Sequence, residues 1–255
     1  IQFIISAYLF GLAIAQPFMG FLSDKLGRKP VMISGIILFI FASYICMTAE
    51  DLSTLIIARF FQGIGGSVGT VTSRAIIRDS YSGDMAAKSL SRVTATMGMA
   101  PMIAPVVGAF ALSLTGSPHG IFMVTLFIGF AILIPVLFFL PETVTKSDSE
   151  REKSVWYKSY SKLLRSEIFV GSTFIYGFTT GSFFAILAVG STVFSKNLGI
   201  GSTGYGLIWS SLTILYASAS FYAGSLTARI GLMRVLNLGV TFNLIAGFLF
   251  VQTSE

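Results

Sequence analysis

Charge is scarce in this sequence. Only 11% of its 255 residues are Asp, Glu, Lys or Arg, where a soluble domain carries about a quarter. That balance excludes an ordinary soluble domain. Cysteine and histidine each occur once, at Cys46 and His119. One cysteine cannot form an internal disulfide, and a lone Cys with a lone His builds neither a metal cluster nor a nucleophile–base pair. No enzyme activity, metal or cofactor is therefore expected. Acids are also missing from the long apolar runs. Asp24, Asp79 and Asp84 lie beyond one end of those runs, Glu50 and Asp51 beyond the other.

What fills the chain is apolar: 54% hydrophobic residues, 24 of them Phe. Runs of about 20 residues, enough to cross about 30 Å of hydrocarbon, recur throughout. They fall at roughly 1–22, 31–49, 53–77, 91–113, 119–140, 167–195, 203–224 and 234–251. A transmembrane barrel would show short alternating segments instead. The expectation is an all-α polytopic membrane bundle. The first span starts at Ile1 without an initiator Met and the last stops at Glu255, so the chain reads as an interior piece of a longer protein.

Lys and Arg set the orientation. One set of connections holds Lys25, Arg28, Lys29, Arg78, Lys88, Arg92, Lys146, Arg151, Lys153, Lys158, Lys162, Arg165, Arg229 and Arg234. The other holds Lys196 with Glu50, Asp51 and His119. By the positive-inside rule the first set is cytoplasmic. The net charge of +6 is explained by topology, so no nucleic-acid partner is expected. The longest polar connection, 141–166, reads as a cytoplasmic linker, with an amphipathic piece near Trp156–Leu164 on the membrane surface.

The densest knot of charge and turn residues is Gly20-Phe21-Leu22-Ser23-Asp24-Lys25-Leu26-Gly27-Arg28-Lys29-Pro30. It reads as a loop between two spans, and Gly224-Ser225-Leu226-Thr227-Ala228-Arg229-Ile230-Gly231 echoes it six spans later. An even period puts both copies on one side, as parallel transporter halves require. Extrapolating the repeat adds one helix before Ile1 and three after Glu255, twelve in all. The echo carries Ala228 where the first copy has Asp24, which concentrates the charge in the first half.

The first copy resembles the signature between the second and third helices of major facilitator superfamily transporters, with Gly20, Asp24, Gly27, Arg28 and Lys29 at the expected positions. The third span carries Arg59-Phe60-Phe61-Gln62-Gly63, similar to that superfamily's fourth-helix motif, and ends in Arg74-Ala75-Ile76-Ile77-Arg78-Asp79. The fourth carries Gly98-Met99-Ala100-Pro101-Met102-Ile103-Ala104-Pro105-Val106-Val107-Gly108-Ala109, which resembles the fifth-helix motif of drug exporters with Ala104 and Ala109 replacing glycines. With Tyr8-Leu9-Phe10-Gly11, the run 1–112 looks most like the bicyclomycin-resistance type of multidrug:proton antiporter.

The resemblance implies a major facilitator fold with eight of twelve helices present. Residues 1–140 would be the N-terminal bundle (helices 2–6), 141–166 the linker and 167–255 the start of the C-terminal bundle (helices 7–9). It implies a multi-pass protein of the bacterial inner membrane, a monomer, working on a small drug-like molecule and a proton. Gly20, Asp24, Gly27, Arg28, Lys29 and Asp79 would form the cytoplasmic gate, with Asp79 pairing Arg28. Arg59 and Gln62 would couple proton and substrate, since a charge in the membrane is costly and functional by default. Snorkelling of Arg59 to the outer surface is the alternative. Gly98, Pro101, Pro105 and Gly108 would bend their helix, the prolines by removing backbone hydrogen bonds. Gly63, Gly65, Gly66 and Gly69 are expected at close helix contacts. Met97, Met99, Met102, Phe174, Tyr176 and Phe178 offer soft and aromatic surface for a substrate cavity. The carrier acid of such antiporters is expected on the first helix, ahead of Ile1. An uptake symporter for a small metabolite, or a non-transporting membrane scaffold, are the competing readings.

Overall fold

The computed structural model describes residues 2–117, 119–144, 161–199 and 202–252, with only the backbone described at some helical positions. Among these residues there are eight α-helices and no strand. They are α1 (Gln2–Leu26), α2 (Arg28–Thr48), α3 (Leu52–Ser80), α4 (Gly83–Thr115), α5 (His119–Phe139), α6 (Glu167–Leu198), α7 (Ser202–Ile230) and α8 (Leu232–Gln252). The chain divides into two compact units, Ile1–Thr94 with Ile103–Trp156, and Ala95–Met102 with Tyr157–Glu255.

Each expected span has its helix, but the helices overrun the apolar runs. α4 starts at Gly83, before the expected 91, and its 33 residues at 1.5 Å each reach about 50 Å. Apolarity marks where hydrocarbon lies; backbone hydrogen bonding continues past it. Four helical stretches among the described residues are long and apolar enough to cross a membrane: Gln2–Leu26, Arg28–Thr48, His119–Phe139 and Glu167–Ile186. α3 is diluted by Arg59, Gln62 and its Gly, Ser and Thr residues.

The expected loop at 23–30 is corrected most sharply. α1 runs through Asp24 and Lys25 to Leu26, α2 begins at Arg28, and only Gly27 separates them. A bend that tight needs φ of +101°, which glycine adopts without a Cβ penalty. The second copy repeats the device. Gly231, φ +87°, is the single residue between α7 and α8.

In the first unit α1 and α2 both pack on α3, and α2 also packs on α5. The core there is made of small and polar side chains, among them Ala15, Ala42, Ala58, Ala75, Ser23, Ser43, Ser67 and Thr72. Between membrane helices water supplies no hydrophobic driving force, so small residues that admit close van der Waals approach take the interface. At the α1–α3 crossing a Cβ on Gly11 would fall on the Phe60 carbonyl, and one on Gly63 on the Tyr8 carbonyl. Gly65 is equally tight, with its Cβ 2.6 Å from Phe39 N on α2. Gly66 would meet the Tyr8 hydroxyl at 2.9 Å and the Phe39 ring at 3.7 Å, and Gly69 meets nothing within 4 Å among the described residues. Gly69 lies one turn beyond Gly65 on the same face, but no described residue approaches it closely. Large apolar residues such as Phe3, Phe41, Phe138 and Phe242 are exposed instead.

Helix ends are capped where they leave the apolar zone. Asp51 accepts from Thr54 N at 2.8 Å and Thr54 Oγ1 at 2.6 Å at the start of α3. These bonds hold the Asp51 carboxyl below its usual range. Ser166 Oγ accepts from Phe169 N at 3.4 Å at the start of α6, and Glu167 follows it in the first turn, where a negative charge suits the helix dipole. The linker residues 145–160, with most of the amphipathic piece, lie outside the described residues.

Candidate functional site

Two polar clusters interrupt the first unit. The first surrounds Arg59, seven residues into α3 and so about 10 Å from its start. Arg59 Nη1 donates to Gln62 Oε1 at 2.5 Å, one turn deeper on the same helix, and Nε to the Ile4 carbonyl on α1 at 3.5 Å. The guanidinium lies 4.5 Å from the Tyr8 ring centroid and 5.9 Å from that of Phe122 on α5. Gln62 is fully buried. Its Nε2 donates to Ser43 Oγ on α2 at 2.7 Å and, more weakly, to Thr125 Oγ1 on α5 at 3.4 Å. Ser43 Oγ in turn donates to the Phe39 carbonyl at 2.7 Å.

One cation therefore draws on four helices, and among the described residues no carboxylate pairs with it. Its charge is spread over two aromatic faces and an amide oxygen, each of which stabilises a guanidinium modestly. The bond to Gln62 points the head inward along α3, which is not the outward course of a snorkelling side chain.

The second cluster is the junction at the α1–α2 bend. Arg28 is buried. Its Nε donates to Asp79 Oδ2 at the end of α3, 2.9 Å away. Its Nη1 donates to Ser23 Oγ at 2.7 Å and pairs with Asp24. Ser23 in turn donates to the Gly20 carbonyl at 2.9 Å, and a Cβ on Gly20 would sit in ordinary contact, 3.6 Å from Val71. Lys29 contributes its backbone N–H, which Glu142 accepts; its side chain makes no ion pair among the described residues.

Glu142 is the residue that sequence reasoning passed over. It lies just beyond α5, where the chain reads as the start of a linker. Its carboxylate accepts from Arg28 N at 2.9 Å and Lys29 N at 3.1 Å, and from Thr143 N and Val144 N at 3.0 Å each. Partial burial works against its charge, but the four N–H donors outweigh that and hold the carboxyl below its usual range. Thr143 Oγ1 adds a bond of 3.3 Å to Asp79 Oδ2. Tyr8, Ser43 and Thr125 were missed for a similar reason: their partners are far away in sequence. The only local signal was a polar residue at a helical position inside an apolar run.

The remaining expected residues are not gathered into either cluster. α4 runs unbroken through Pro101 and Pro105. The side chains at 98, 101, 102 and 105 lie outside the described residues. A Cβ on Gly108 meets nothing within 4 Å among the described residues. Met97 and Met99 are exposed on α4, and Phe174, Tyr176 and Phe178 on α6. Phe174 and Phe178 stack with centroids 5.9 Å apart.

Long apolar helices with a buried arginine and a glycine-hinged, charge-paired junction define a polytopic membrane bundle. Residues 1–254 match the profile described as Major Facilitator Superfamily, and the chain belongs to that family. It is a multi-pass inner-membrane protein of a family of transporters, not an enzyme. It is similar to a bicyclomycin resistance protein homolog of Haemophilus influenzae, 25% identical over 255 residues, covering 100% of this chain and 64% of the relative. It is also similar to the multidrug resistance protein MdtL of Vibrio parahaemolyticus, 30% identical over 220 residues, covering 86% and 54%. Among solved structures, the human organic anion transporter MFSD10 (TETRAN) superposes with a TM-score of 0.66 at 19% identity, covering 86% of this chain and 55% of that one. The last likeness is one of fold. The chain thus spans less than two thirds of the length of these relatives.

Proposed function

We propose that the full protein exports small drug-like molecules in exchange for protons, by alternating access between the halves to which 1–140 and 167–255 belong. The observation that carries this reading is the likeness along the whole chain to proteins named for bicyclomycin and multidrug resistance. The geometry supports it from two sides. The Arg59–Gln62 cluster is a charged, hydrogen-bonded centre in apolar surroundings, the kind of group that marks an ion or substrate pathway. The Arg28–Asp24–Asp79 junction is a set of ion pairs at helix ends, suited to a cytoplasmic gate together with Gly20, Gly27 and Lys29. Gly98, Pro101, Pro105 and Gly108 favour export on the resemblance of their helix to that of drug exporters, and the exposed Met and aromatic side chains of α4 and α6 would meet an amphipathic substrate. The protein works as a monomer in the bilayer, with no cofactor.

The test uses the full-length protein in inside-out membrane vesicles carrying a proton gradient. Adding a drug substrate should dissipate the gradient, and Arg59→Ala should abolish the effect at normal expression. A gradient that no drug disturbs would sink the antiport reading.

A further inference from the structure

Gly27 leaves α2 without a cap of its own, because it has no side chain and makes no capping hydrogen bond. The amide N–H groups of a helix's first turn need an acceptor. The usual source is a Ser, Thr, Asp or Asn directly before the helix. Here the acceptor is Glu142, 114 residues along the chain from Arg28. The same carboxylate holds the N–H groups of Thr143 and Val144, so one side chain joins the start of α2 to the segment leaving α5.

The fit is specific on both sides. A Cβ on Gly27 would lie 2.6 Å from Glu142 Oε2, so glycine at this position makes room for the carboxylate as well as for the bend. Thr143, the next residue, reaches Asp79. Arg28 is thereby held twice, its backbone by Glu142 and its side chain by Asp24 and Asp79.

We infer that Glu142 is a positioning residue of the gate: it fixes the backbone of Arg28 so that the guanidinium meets Asp24 and Asp79, and it ties the outgoing chain after α5 to that gate. The inference rests on the transport reading above. Four N–H donors around two oxygens require an anion. Three of those bonds fall on Oε1 and one on Oε2, so a glutamine can keep the three while its NH₂ confronts Lys29 N, and Glu142→Gln should fall between wild type and Glu142→Ala. Glu142→Asp keeps the charge on a shorter stem and should retain part of the function.

The experiment uses the full-length protein in proteoliposomes with Cys46 replaced by serine and a single reporter cysteine. Thr72→Cys places the reporter at a fully buried position on α3, about two turns from Asp79. Ala58→Cys, buried near the opposite end of α3, is the control. Glu142→Ala should raise N-ethylmaleimide labelling of Thr72→Cys by about fivefold, with Glu142→Gln and Glu142→Asp between it and wild type. The control should not change, and drug turnover should fall while its KM stays within about twofold. Glu142→Gln, which loses only the bond to Lys29 N, serves if Glu142→Ala does not fold. Unchanged labelling in these variants, or an equal rise at the control, would overturn the inference. Failure of the unaltered protein to transport drug would overturn the transport reading instead, while the labelling comparison still judges Glu142.

Discussion

Arg28 Nε donates to Asp79 Oδ2 on α3 at 2.9 Å while Nη1 of the same guanidinium pairs with Asp24 on α1. One cation therefore satisfies two acids from two helices, and it is the least exposed of the three. Removing it leaves both acids facing each other, whereas removing one acid leaves the other pair intact. Arg28→Ala should slow drug export by about tenfold, and Asp79→Asn by only about two- to fivefold. The double swap Arg28→Asp with Asp79→Arg should rescue poorly, because the new aspartate faces Asp24. Adding Asp24→Asn should restore export. Uptake in inside-out vesicles would show the ranking.

Arg59 should not tolerate lysine. Its planar head lies against Tyr8 and Phe122 while a second nitrogen reaches Gln62, and an ammonium cannot do both. Arg59→Lys is expected to lose nearly as much export as Arg59→Ala, at least about tenfold, since each charge-assisted bond given up costs about 1.5–3 kcal/mol. Gln62→Ala, which removes one bond from each of Arg59, Ser43 and Thr125, should approach it; Gln62→Glu should not, as it keeps the acceptor for Arg59. Resistance titres at matched expression are the measurement.

The glycines of α3 separate by what a methyl group would strike. Gly63→Ala drives a Cβ onto the Tyr8 backbone and should unfold or mislocalise the protein. Gly69→Ala meets open space among the described residues and should be neutral or stabilising by about 0.5–1 kcal/mol, the helix-propensity gain. Thermal stability in detergent would separate them.

Glu142 sets a pH expectation. Its folded-state pKa lies below the ordinary carboxylate value. Its contribution is thus complete above the unfolded value of about 4.3 and is lost as pH falls through the folded one. The Tm difference between wild type and Glu142→Ala should stay flat from pH 8 to about 5 and shrink only below about 4. A change between pH 6 and 8 would show Glu142 taking up protons in the working range, which these bonds oppose.

The helices of the described residues were legible in the chain because hydrocarbon imposes a length that composition reveals. The Gly20–Pro30 motif and its echo at Gly224–Gly231 could be read as local patterns. The same locality misled at two points. Charge density around Asp24 and Lys25 reads as a loop, yet helical hydrogen bonding carries α1 to Leu26 because its ends can be wet. A glycine series reads as one packing stripe, yet α2 comes close at Gly65 and no described residue reaches Gly69 one turn further on.

Sequence by itself determined that this is a bundle of apolar helices, and that Arg59 stands alone as a charge in the first half of α3. Each follows from the cost of taking charge or bare backbone out of water, which acts on every residue where it stands. Only the tertiary structure decided which groups compensate that cost. Tyr8 lies against Arg59, Gln62 reaches Ser43 and Thr125, and Glu142 completes a helix that starts 114 residues away. Those pairings depend on the register in which separate helices pack, and register is set by close contacts such as Gly11 on Phe60 and Gly63 on Tyr8.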